Sequence, residues 1–142
     1  MTDARSSHQG TIVELTPDEC LDLLSTTTVG RIAFVGPEGQ ELVPVNFALI
    51  DGVVYFRTLP DGFLSQLARG HVEVAFGVDH HDDTYQRGWN VTVKGPASQV
   101  EDRATINLVL GHSRLRPWAG GVRPMVIRVE IRSVTGRRVR GH

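Results

Sequence analysis

Apolar side chains recur at every second position over several stretches of this chain. Val72, Val74, Phe76 and Val78 alternate with His71, Glu73, Ala75 and Gly77, the period of a strand with one buried face. The same alternation sets Ile127, Val129 and Ile131 against Arg128, Glu130 and Arg132 in a strand read over 125–133. A further strand is predicted over 29–35. Two more, over 41–50 and 52–59, flank Asp51-Gly52, the kind of dipeptide that best supplies the positive φ angles of a tight hairpin turn. Residues 89–100 resume strand character through Val91 and Val93, with a bend or bulge at Gly95-Pro96, while the polar segment 79–87 reads as a loop.

Helical spacing is confined to short pieces between these strands. Thr16-Pro17-Asp18-Glu19 combines a capping hydroxyl, a first-turn proline and the glutamate of a capping box, and Cys20, Leu21, Leu23 and Leu24 follow as an apolar face. The threonines at 26–28 favour leaving the helix there. Phe63, Leu64 and Leu67 predict a short helix within 60–70, and a third is expected over 101–110, stopped by Gly111. About six strands with two or three short helices predict a mainly β, α+β fold: an antiparallel sheet curled into a small barrel that hides its edges.

The first ten residues, MTDARSSHQG, read as a flexible N-terminus ahead of one domain over 11–142. With 40% hydrophobic and 22% charged residues, the composition argues against a disordered or fibrous chain. No apolar run reaches the roughly 20 residues of a membrane helix, and the polar start lacks a signal-peptide core. A cytoplasmic protein is therefore expected. The single cysteine, Cys20, agrees with a reducing compartment. Charge is uneven: residues 103–142 hold nine arginines and one acid, Glu130, although the net charge is −1. Such an excess suits exposed strand faces or a phosphate-bearing ligand. Without a recognition helix or ribonucleoprotein motif, nucleic acid is disfavoured as a partner.

The candidate chemistry is that of binding. Arg57 and Thr58 end the second strand of the hairpin just before the 60–70 helix, so a guanidinium, a hydroxyl and first-turn amides could converge on a phosphate. Trp89 and Trp118 offer flat apolar faces to a planar ring. Asn46 and Asn90 sit among apolar strand residues, where an amide can hydrogen-bond a heterocycle. His80-His81-Asp82-Asp83 lacks a spaced partner that would complete a usual metal site, and it reads as a solvated loop. Cys20 reads as a small core hydrophobe. No catalytic residue and no metal ligand are identified.

Five short motifs, in this order, carry a resemblance: V-G-R-I-A at 29–33, V-P-V-N-F at 43–47, Y-F-R-T at 55–58, G-W-N-V-T-V-K-G at 88–95 and L-R-P-W-A at 115–119. Over residues 15–139 the chain resembles the pyridoxamine-5′-phosphate-oxidase-like family of FMN-binding split β-barrels, in particular its small bacterial members. The resemblance implies a six-stranded split barrel and a homodimer with a cofactor site at the subunit interface. It implies that Pro44, Val45, Asn46 and Phe47 lie along the flavin ring, that Arg57 and Thr58 meet the phosphate, that Asn90 approaches the ring and that Trp118 closes the site from the other subunit. The implied chemistry is hydride exchange between FMN and a small organic substrate. Relatives of this kind also include deazaflavin and haem binders, proteins without a demonstrated cofactor and non-catalytic modules. Many carry a lysine or arginine where this chain has Phe63.

Overall fold

The computed structural model describes residues 10–60, 62–115 and 124–141. Among them nine strands form one antiparallel sheet. In chain order the elements are β1 (Thr11–Glu14), α1 (Pro17–Leu24), β2 (Val29–Gly36), β3 (Gly39–Asn46), β4 (Ala48–Ile50), β5 (Val53–Thr58), a 3-10 turn (Phe63–Ala68), β6 (Val72–Asp82), β7 (Arg87–Gln99), α2 (Arg103–Leu110), a 3-10 turn (Ser113–Leu115), β8 (Met125–Glu130) and β9 (Ser133–Arg140). The strand order is β3-β2-β6-β7-β8-β5-β4, with β9 pairing both β7 and β1. The sheet is not closed, and its nine strands replace the expected six.

Three physical causes account for the extra strands. The strand expected over 41–50 divides because its first part pairs β2 as far as Asn46↔Val29, with the Phe47 N–H to the Thr28 carbonyl continuing that register, whereas β4 pairs β5 from Ala48↔Tyr55. The arginine-rich segment 133–140 forms β9, although exposed charge hides its alternation. β1 is four residues long and forms only by pairing with β9. The expected loop at 79–87 is also shorter, because β6 runs to Asp82 and β7 begins at Arg87. There the ladder hydrogen bonds, not an apolar face, extend the strands.

β7 divides the sheet. Along one edge it pairs β6 from Val72↔Ala97 to Asp82↔Arg87. Along the other it pairs β9 as far as Lys94↔Ser133 and then β8 from Ala97↔Val129. The partner changes at Gly95-Pro96, where a proline without an N–H is tolerated because a ladder ends. A Cβ on Gly95 would stand 1.8 Å from the Glu130 carbonyl oxygen, so only glycine admits the β8–β9 corner. The expected bend is thus the branch point of the sheet.

The hairpin and helix signals hold with small adjustments. Asp51 (φ 50°) and Gly52 (φ 77°) make the turn between β4 and β5. Thr16 caps α1 in a complete capping box with Glu19, and the helix ends as Ser25, Thr26 and Thr27 turn their hydroxyls onto the carbonyls of Asp22, Leu23 and Leu24. α2 starts two residues later than expected because Asp102 is its cap, accepting from the N–H of Thr105. The segment after Arg57-Thr58 is a six-residue 3-10 turn, not an α-helix, so it lacks a strong dipole.

Two apolar clusters fill the structure. The larger holds Ile32, Phe47, Phe56, Phe76, Val91, Val93 and Ile127 inside the curled sheet, closed by Cys20 and Leu24 of α1. Phe47 and Phe76 meet edge to face at 4.8 Å. The smaller, around Ala48, Tyr55, Val109, Leu115 and Val126, lies on the other side of β5 and β8, beneath α2. No helix among the described residues is long and apolar enough to cross a membrane.

Candidate functional site

β5 sends its side chains alternately into the two clusters, and this fixes where its terminal pair points. Val54 and Phe56 enter the larger cluster, so Thr58 follows them inward, 4% exposed and the one buried polar side chain among the described residues. Tyr55 enters the smaller cluster, and Arg57 lies on that side, half-buried, donating from Nη1 to the Leu115 carbonyl at 3.4 Å. Arg57 and Thr58 therefore reach opposite faces of the strand. A ligand held by both would have to wrap the end of β5.

Asn46 shares the side of Arg57. The register Ala48↔Tyr55, carried two residues further, sets Asn46 toward Arg57, and the ends of β3 and β5 are in contact. The Ser113–Leu115 turn completes this corner. Leu115 supplies the carbonyl that Arg57 holds, and the Arg114 guanidinium donates to the Ser25 carbonyl at the end of α1, where a cation is favoured by the helix dipole. The corner thus combines two guanidinium groups, a carboxamide and strand-end backbone.

The remaining candidates lie elsewhere in the chain. Val45 and Phe47 are buried in the larger cluster, so their backbone, not their side chains, is what a ligand could meet. Pro44 faces outward opposite Arg31, whose guanidinium is 3.1 Å from the Asp79 carboxylate. Asn90 also faces outward, paired with Asp79, but three strand spacings from Asn46, roughly 14 Å at the usual separation. Trp118 falls outside the described residues. Phe63 is 51% exposed and leans on Phe34 with ring centroids 5.9 Å apart.

Sequence reasoning missed Arg114 and the Leu115 carbonyl. A visible signal was the L-R-P-W-A motif, which begins at Leu115. Histidines 80 and 81 lie in β6, and no group of three or more His, Cys, Asp or Glu among the described residues is arranged to hold a metal ion.

A family model described as pyridoxamine 5′-phosphate oxidase matches residues 16–138. The chain belongs to that family. The uncharacterised protein Rv0080 of Mycobacterium tuberculosis is 32% identical over 90% of this chain and 86% of its own length. Among solved structures, an FAD-binding protein from Mycobacterium smegmatis is 30% identical with a TM-score of 0.69, covering 90% of this chain and 98% of that one. An FAD-binding protein from Mesorhizobium loti shares the fold at 22% identity, with a TM-score of 0.73, covering 92% of this chain and 98% of the other. The family match spans α1 to β9 and includes the corner built from Asn46, Arg57 and the Ser113–Leu115 turn.

Proposed function

We propose that this protein is a homodimeric flavoprotein that binds FMN and exchanges hydride with a small organic molecule. The observation that carries this reading is the half-buried Arg57 at the end of β5, beside Asn46 and the Ser113–Leu115 turn, in a chain 30% identical to a structurally similar FAD-binding protein. FMN and FAD share the isoalloxazine ring, the ribityl chain and the phosphate next to it. A guanidinium at that phosphate would serve either nucleotide.

The donor set fits such a group. Arg57 would hold the phosphate, the Asn46 carboxamide would meet the ring edge, and the backbone of 44–47 would lie along the ring. A bound flavin supplies the two-electron chemistry, while the protein contributes position and exclusion of water. Burial of Phe47 and Val45 beneath that backbone keeps its amides fixed.

Dimerisation is part of the reading because the site is incomplete in one chain. Asn90 stands roughly 14 Å from Asn46 by strand spacing, and a second copy would supply it. Val29, Val35 and Leu42, exposed on the outer face of β2 and β3, suit such a contact.

The test is direct. Purified protein should carry, or take up, FMN with the absorbance of a bound flavin, and should elute as a dimer. A colourless protein that fails to bind added FMN and FAD would overturn the reading.

A further inference from the structure

The far end of the β6–β7 hairpin holds a second set of groups that the flavin reading does not use. Arg87 and Arg140 are directly opposite each other in the β7–β9 ladder, and Arg138 is opposite Trp89. Like charges placed opposite each other cost stability, yet among the described residues no carboxylate lies within 4 Å of these three guanidinium groups, although Arg138 is close enough to Glu19 to help hold its carboxyl down. They line one cavity of about 590 Å³ together with Tyr85 and Trp89. The carboxylate in its lining, Asp82, accepts the N–H groups of Thr84 and Tyr85 at 3.0 and 3.2 Å and so is engaged in shaping the turn.

The backbone holds this cluster in place. Gly141 donates its N–H to the Gln86 carbonyl at 2.7 Å, and a Cβ on Gly141 would meet the Gln86 Cβ at 2.7 Å. The strand end bearing Arg140 is thereby clamped onto the turn bearing Tyr85 and Arg87. Gln86 itself stands at φ 51°, a conformation that side-chain-bearing residues rarely adopt. The Arg87 guanidinium lies 4.9 Å from the Tyr85 ring centroid, and the His80 and Trp89 rings are 6.4 Å apart.

We propose that this cavity binds a nucleotide, with the base against Trp89 and two adjacent phosphates against Arg87, Arg138 and Arg140. The volume is that of a small-ligand site. Aromatic faces take a planar base, and guanidinium forks take phosphate oxygens. Relief of the Arg87–Arg140 repulsion adds to the affinity. A nucleic acid strand would need cations along a track longer than this one cavity. The proposal does not rest on the flavin reading: Trp89 and Arg87 point to the opposite face of β7 from Asn90.

Calorimetric titration of the full chain with ADP, pyrophosphate and adenosine tests it. ADP is expected to bind at sub-millimolar concentration, at least tenfold tighter than either pyrophosphate or adenosine. The Arg87→Gln/Arg140→Gln variant should lose at least tenfold in ADP affinity while keeping its circular dichroism spectrum and its affinity for FMN. Trp89→Phe, which keeps a ring, should lose less than Trp89→Leu. No binding of ADP at millimolar concentration, equal binding of pyrophosphate and ADP, or an unchanged affinity in the double variant would overturn the proposal. A single-stranded oligonucleotide that binds more tightly than ADP would overturn it as well. Loss of FMN together with ADP would assign the cavity to the flavin instead.

Discussion

Arg57 donates to the carbonyl of Leu115 at 3.4 Å, joining the end of β5 to a 3-10 turn 58 residues later. Arg114 ties the same turn to Ser25 at the end of α1. Three separate parts of the chain are therefore joined through two guanidinium groups. Because the guanidinium is a rigid fork with five donors, one can hold the Leu115 carbonyl while the fork faces an anion. This is the physical basis of the proposal that a phosphate binds here.

Phe63 stands where the family resemblance leads one to expect a lysine or arginine, and it is open to a gain of function. The side chain is 51% exposed, with Phe34 as its ring partner. Phe63→Lys should leave the fold intact and add a charge-assisted contact worth about 1.5–3 kcal/mol, roughly ten- to a hundredfold in FMN affinity. Fluorescence titration of FMN measures it. An affinity equal to that of the parent protein would place the phosphate away from the Phe63–Ala68 turn.

Gly95 is predicted to be among the least replaceable residues of the sheet. A Cβ there would overlap the Glu130 carbonyl oxygen, so Gly95→Val must move the β8–β9 corner. The expected cost is about 3 kcal/mol or more, at the upper end of overpacking effects. Chemical denaturation gives the value. A loss below about 1 kcal/mol would mean that the branch of the sheet at β7 is softer than its register implies.

Glu19 links stability to acid. The Thr16 N–H and hydroxyl hold its carboxyl below the ordinary value. A carboxyl depressed in the folded state contributes stability that is present above its unfolded pKa and is lost as pH falls through the folded one. Glu19→Gln, which cannot ionise, should therefore be less stable than the parent at pH 7 and match it near pH 3, flattening the decline between about pH 5 and pH 3. Thermal unfolding across that range checks the sign. A steeper decline in the variant would contradict it.

Much of the fold was legible from periodicity. The Asp51-Gly52 turn, the capping box at Thr16 and the alternation over Val72–Val78 each follow from local chemistry that tertiary contacts reinforce. β1 and β9 were not legible, since both are held by pairing with strands distant in sequence and β9 is rich in exposed arginine. The split of β3 from β4 follows from a change of partner, β2 for the first and β5 for the second, which no local signal shows. In the candidate site, Arg57 and Asn46 could be read individually, and their proximity could be read only from the β4–β5 register. The opposed directions of Arg57 and Thr58 follow from strand alternation, but which of the two faces the core depends on which sheet face α2 covers. Arg114 lay in a segment without periodicity, and its role comes from the tertiary contact with Ser25.

The most direct measurement compares FMN with riboflavin on the protein and on Arg57→Ala. Riboflavin has the same ring and ribityl chain but no phosphate. If Arg57 holds the phosphate, the substitution should weaken FMN by roughly ten- to a hundredfold and leave riboflavin nearly unchanged. Equal losses for both ligands would contradict that placement, and no loss for either would remove the corner at Arg57 from the site.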